Sequence, residues 1–140
     1  MQWAAIDQEI DNEGYDGVLA SPPCRTCSKA RARKQVNRGR KSQRPLRDAT
    51  GPGRYGKSDL LPEEKKKVRL DTLLALRFHA AAKKLIAQGK PVIIETPKRD
   101  PGHPSVFGLD EFEALAQQPG VQITSSVQCM DGTLTTKPTD

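Results

Sequence analysis

Residues 24–57 set the first limit on what this chain can fold into. They carry twelve bases (Arg25, Lys29, Arg31, Arg33, Lys34, Arg38, Arg40, Lys41, Arg44, Arg47, Arg54 and Lys57) against one acid, Asp48, a net charge of +11. Charge at that density repels itself and does not pack into a core; it stays solvated or meets a polyanion. The core must come from the flanking sequence. The segment has no apolar period and is punctuated by Gly39, Gly51, Pro52, Gly53 and Gly56. Residues 25–57 therefore read as a basic flexible loop, a length of structureless chain that is commonly functional or disordered. Residues 1–23 are the opposite, with Asp7, Glu9, Asp11, Glu13 and Asp16 and no base.

At 140 residues the chain fits one modest domain, 1–140. No apolar stretch nears the roughly 20 residues of a membrane span, so no membrane partner is expected. Met1-Gln2-Trp3-Ala4 does not read as a signal peptide. The expectation is an intracellular protein of the nucleus or cytoplasm. Three cysteines, an odd count, do not suggest a disulfide framework.

The flanks alternate helix and strand signals. Trp3, Ile6 and Ile10 recur at helical spacing within Gln2–Ile10, and Asn12-Glu13-Gly14 reads as the stop. Tyr15–Ala20 reads as a short buried strand, ended by Ser21-Pro22-Pro23 because prolines cannot continue a ladder. Ser58–Glu64 is a helix start, with Pro62 and two early acids. Val68, Leu70, Leu73, Leu74, Ala80, Ala81 and Leu85 continue it as a broad apolar face, and Gly89 is its stop. Pro91–Glu95 is continuously apolar up to its glutamate, as in a strand covered on both faces. Ser105–Gln117 contains a short helix, and Pro119-Gly120 leads into a third strand, Val121–Val127. The order predicts an α/β domain with a mainly parallel sheet.

In such sheets ligands bind beyond the carboxyl ends of the strands. The first strand delivers Cys24 there and the second delivers Glu95. A thiolate nucleophile needs a lowered pKa, which Arg25 and Lys29 are placed to supply. A carboxyl at a strand end can hold a substrate amine or share a proton with a ring nitrogen.

These residues resemble a known family. Asp16-Gly17-Val18-Leu19-Ala20-Ser21-Pro22-Pro23-Cys24, followed by Ser28, resembles the catalytic strand and loop of cytosine-5 DNA methyltransferases. Ile93-Ile94-Glu95-Thr96-Pro97 is similar to that family's second catalytic strand, usually Glu-Asn-Val or Glu-Asn-Pro, with Thr96 in place of the usual asparagine. Gln128-Cys129-Met130-Asp131-Gly132 and Lys137-Pro138-Thr139 are similar to the tail of phage-type and mobile-element relatives. The resemblance implies a partial Rossmann-like, methyltransferase-type fold. It makes Cys24 the nucleophile on the cytosine ring, Glu95 the group that holds the ring nitrogen and amino group, and S-adenosylmethionine the methyl donor. Pro22, Pro23, Arg25, Ser28, Arg31, Arg33, Lys34, Thr96 and Pro97 would face DNA or another nucleic acid, and Ser21 and Pro22 the cofactor. The target base would leave the duplex stack or come from a single strand. The family's glycine-rich cofactor strand, its acidic ribose-binding strand end and its Gln-x-Arg-x-Arg element have no counterpart in this sequence. The resemblance therefore implies the catalytic-loop half of an enzyme: a gene fragment, a degenerate copy, or one piece completed by a complementary chain.

Other readings compete. Cys24-x-x-Cys27 can begin a zinc site, but Cys129, His79 and His103 are the only other soft ligands and no second close pair exists, so no metal is assigned. Gly56-Lys57-Ser58 lacks the upstream glycine of a phosphate loop. A non-catalytic basic nucleic-acid-binding module, or a structural fragment, stands as the alternative.

Overall fold

The computed structural model describes residues 2–27, 44–127 and 138–139. Helix α1 (Trp3–Asp11) leads into strand β1 (Val18–Ala20). After a 3-10 turn at Pro52–Tyr55 comes α2 (Pro62–Ala87), then strand β2 (Val92–Ile94). A second 3-10 turn (Val106–Gly108) precedes α3 (Asp110–Ala116). β3 (Ser126–Val127) and β4 (Pro138–Thr139) form a separate antiparallel pair.

The central unit is β1–α2–β2. The strands run parallel, with Val18 opposite Val92, Leu19 opposite Ile93 and Ala20 opposite Ile94. Parallel neighbours need a long crossover, and the 26-residue α2 lies within it. Gly17 allows the strands to meet: a Cβ there would lie 2.8 Å from the Pro91 carbonyl oxygen, which accepts a hydrogen bond from Val18 N at 3.0 Å. Pro62 occupies the first turn of α2, and Glu64 accepts from Leu61 N at 2.9 Å, so the helix start is fixed by its own residues.

Three apolar clusters hold the elements. Ile10, Ala81 and Leu85, with Ile6, Val18 and Val92, pack α1 and the sheet onto α2. Cys27, Ala75, Val106, Leu109 and Phe112 join the Cys24 corner to α2 and α3. Leu46, Leu60 and Val68 tie down the chain that enters α2. Trp3 meets Phe78 edge-to-face, with centroids 5.3 Å apart.

The architecture is thus mixed helix and strand around a two-stranded parallel sheet. Val121–Val127 was expected to add a third strand. Instead residues 121–125 lie outside any element, and Ser126–Val127 pairs antiparallel with Pro138–Thr139. Residues 121–125 set only Val121 and Ile123 among polar Gln122, Thr124 and Ser125, so they lack the continuously apolar character of Val92–Ile94. The expectation of a sheet covered on both faces is also corrected. Strand alternation turns Val18, Val92 and Ile94 into the clusters on the helix side. Leu19 and Ile93 point the other way and remain 71% and 62% exposed. On α2, Leu70 and Leu73 were expected to face the core but are exposed; the buried positions are Val68, Asp71, Ala75, Ala81, Ala82 and Leu85. Within the basic loop, residues 44–57 are anchored through buried Leu46 and Arg47, whereas residues 28–43 lie outside the described residues.

Candidate active site

The register of β1 and β2 brings both catalytic candidates to one sheet edge. Beyond the last paired residues, Glu95 N donates to the Ala20 carbonyl at 2.9 Å. Pro22 and Pro23 then break the ladder and the chain turns over Cys24–Cys27, closed by a 2.8 Å bond from Cys27 N to the Cys24 carbonyl.

Two arginines fix this turn. Arg25 Nε donates to both carboxylate oxygens of Asp71, at 3.0 and 3.1 Å, and its terminal nitrogen lies 2.9 Å from Oδ1. Arg47 is 3% exposed; its Nε donates to Thr26 Oγ1 at 3.0 Å. Its remaining nitrogens reach the carbonyls of Arg54 and Val68 and the Thr72 hydroxyl at 2.9–3.1 Å. Every member of Arg25, Thr26 and Cys27 is therefore held from α2 or from the 44–57 segment. Only Cys24 among them combines a partly exposed side chain with a place on a cavity wall.

That cavity has a volume of about 170 Å³ and is lined by Cys24, Cys27, Thr96, Pro97, Lys98, Asp100, His103, Pro104, Ser105 and Val106. Its residues come from two places: the Cys24 corner and the loop after β2. Thr96 is 3% exposed and forms part of the wall. Glu95, one residue earlier, lines a larger open groove of about 1050 Å³ that runs along the bare sheet face past Leu19, Ile93 and Phe107. Alternation along the strand accounts for the split, since successive side chains take opposite sides. So Cys24, Thr96 and Pro97 share one cavity, and Glu95 stands at the same strand end but on the groove side.

Burial raises the Cys27 thiol above its ordinary value, and the Cys24 and Asp71 charges add to this; Arg47 acts against it. Burial lowers the Arg47 guanidinium from its usual value, countered by Cys27 and Asp71. Hydrogen bonding to Asp71, followed by its charge, raises Arg25. The expectation that Arg25 serves Cys24 is thereby modified, because its guanidinium is occupied by Asp71.

Of the other sequence-derived candidates, Ser21 is exposed, Pro22 is buried and Pro23 is half-buried. Ser28, Arg31, Arg33 and Lys34 lie outside the described residues, as does the segment 128–132. Sequence reasoning missed Asp71, Arg47 and Thr26. An aspartate one turn from Val68 and Ala75 on the apolar stripe of α2 was the available signal, since an acid on a buried face requires a partner.

S-adenosylmethionine carries a carboxylate, an amine and a ribose that each need hydrogen-bonding partners. One exposed serine hydroxyl and a buried proline ring do not provide that set, so Ser21 and Pro22 do not by themselves fit the cofactor. Among the described residues no group of three His, Cys, Asp or Glu side chains could hold a metal ion, and no helix is long and apolar enough to cross a membrane. No family model, curated protein or solved structure matches this chain.

Proposed function

We propose that this chain carries the base-facing half of a cytosine-5 DNA methyltransferase-like site. The observation that supports it best is the parallel pairing of β1 with β2. It sets the Pro-Pro-Cys corner and the Glu95-Thr96-Pro97 corner side by side at the carboxyl end of one sheet. In this reading the Cys24 thiolate bonds to the ring carbon beside the one to be methylated. Glu95 holds the ring nitrogen and amino group, which stabilises the ring once the thiolate has added. The base lies in the Cys24 cavity against Thr96 and Pro97, and Glu95 reaches it from the neighbouring groove at the same strand end. S-adenosylmethionine would be the methyl donor; Ser21 and Pro22 alone do not hold it, and a complementary chain or segment with a glycine-rich strand would. A partial Rossmann-like sheet extended by that part completes the fold.

A second reading has its own support. Residues 28–43 contain seven bases and no acid. Arg25, Arg44, Arg47 and Arg54 are bound to protein acceptors. A non-catalytic nucleic-acid-binding module would use those seven charges and ignore Cys24.

The reduced chain is mixed with single-stranded DNA carrying 2-pyrimidinone at the target position, and in parallel run on DNA in gels over a salt series. Covalent capture of that strand that depends on Cys24 supports the first reading. A salt-sensitive DNA shift that survives Cys24→Ala, disappears when Arg31, Arg33 and Lys34 are neutralised, and is accompanied by no cysteine-dependent chemistry supports the second.

A further inference from the structure

The proposed chemistry uses Cys24 and leaves Cys27 unexplained. Cys27 is 6% exposed and sits among Ala75, Val106, Leu109 and Phe112, where an aliphatic side chain would pack as well. Its relation to Cys24 is closer than a shared segment. The 2.8 Å bond from Cys27 N to the Cys24 carbonyl makes the two cysteines the first and fourth residues of a turn. Such a turn holds its end Cα atoms within about 7 Å. Disulfides span Cα separations of roughly 4.4–6.8 Å. Both residues also line the same 170 Å³ cavity, so each has access to the space between them. The Arg25–Asp71 ion pair and the hydrogen bond from Arg47 to Thr26 act on the residues between the cysteines and hold that spacing.

We infer that Cys24 and Cys27 form a reversible dithiol/disulfide pair that reacts with low-molecular-weight disulfides. Cys24 is partly exposed and meets the reagent first. Its thiolate attacks one sulfur of the small disulfide and releases one small thiolate, leaving a mixed disulfide on Cys24. The Cys27 thiolate then attacks Cys24 Sγ and releases the second small thiolate. The protein loses two thiol protons and two electrons; the small disulfide gains both and becomes two thiols. Burial raises the Cys27 thiol and slows the second step, and the Arg47 guanidinium partly offsets this. The pairing itself rests on the turn geometry. Its consequence for methyl transfer rests on the function proposed above: an oxidised Cys24 has no thiolate to add to a base.

The test uses the full chain in a series of glutathione buffers running from reducing to oxidising. Free thiols are blocked, and the protein is cut before aspartates. The fragment 16–47 then contains Cys24 and Cys27 but not Cys129. The expected result is a fragment lighter by two hydrogens under oxidising buffer, restored by reductant, with little glutathione attached. In Cys27→Ala the same buffers should instead leave glutathione attached to Cys24. Wild-type fragments that keep glutathione on Cys24 without closing the ring, or that remain free thiols throughout, overturn the proposal, and neither result depends on a variant folding. Covalent capture of a reactive pyrimidine by the reduced protein is measured alongside. Ring closure without capture sinks the proposed function alone; capture without ring closure sinks the redox pair alone.

Discussion

Arg25, the residue directly after Cys24, places its Nε within 3.0 and 3.1 Å of both carboxylate oxygens of Asp71, a side chain only 1% exposed on α2. The corner that presents the cysteine is thereby tied to the middle of the longest helix. Removing Arg25 leaves a buried carboxylate without this partner. Breaking a fully buried pair costs about 3–5 kcal/mol, but the Arg25 side chain is 57% exposed and solvent screens the interaction, so Arg25→Ala should cost about 1–2 kcal/mol. Urea unfolding of Arg25→Ala checks this, and an unchanged midpoint would deny the anchor.

Arg47 should matter more. Its guanidinium is buried and donates to four acceptors, two of them hydroxyls and two carbonyls. Arg47→Met keeps most of the bulk and leaves those acceptors without their donor, a loss of about 2–4 kcal/mol. Arg44, a half-buried partner of Asp59 and Glu64 whose pairs face solvent, provides the contrast: Arg44→Ala should leave the melting temperature nearly unchanged. Paired thermal melts of the two variants test the ranking.

The buried face of α2 gives a third test. Leu85 is 1% exposed and Leu73 is 53% exposed. Leu85→Ala should destabilise by about 2–5 kcal/mol through lost burial and the cavity left behind. Leu73→Ala should stay within about 0.5 kcal/mol. Equal losses would contradict the helix orientation.

That orientation also marks how far the sequence could be read. The existence of α1, α2, α3, β1 and β2 followed from local signals: Pro62 and Glu64 at a helix start, Pro22-Pro23 at a strand end, and Val92-Ile93-Ile94 as an uninterrupted apolar run. The face of α2 did not, because leucines surround the helix and the buried stripe instead runs through Asp71, which only a tertiary partner permits. The third strand failed for a similar reason. Val121, Ile123 and their neighbours have strand character, but membership of a sheet is decided by the edge available, which local pattern does not encode. At the site, strand-end logic brought Cys24 and Glu95 to the same sheet edge, but it is Thr96 and Pro97, not Glu95, that share the cavity with Cys24. The assignment of Glu95 to the groove side required the backbone alternation seen in the fold.

His79 supplies a pH dependence. Its ring stacks edge-on to Phe112, with centroids 5.4 Å apart, and burial lowers its pKa from 6.5; Lys83 acts the same way, and Glu111 opposes both. The folded protein then binds this proton less readily than the unfolded chain. The stability contributed by neutral His79 is complete above 6.5 and is lost as pH falls through the lowered folded value. Melting temperature should therefore drop as the pH falls below 6.5 and level off below the lowered folded value, and His79→Gln should flatten this part of the profile. A profile that the variant leaves unaltered would remove His79 as its source.

The central claim is that Cys24 is a nucleophile toward a cytosine ring beside Glu95. It is tested most directly by covalent capture on a single-stranded oligonucleotide in which 2-pyrimidinone, a cytosine lacking its amino group, replaces the target base. Thiolate addition to this ring needs no methyl donor, so the chain can be used as it is. The account predicts a denaturation-resistant protein–DNA band under reducing conditions. The band should be absent for Cys24→Ser, about tenfold or more weaker for Glu95→Gln as expected when a positioned proton donor is lost, and retained for Cys27→Ala. No band from the wild-type chain, or a band that Cys24→Ser leaves intact, would contradict it.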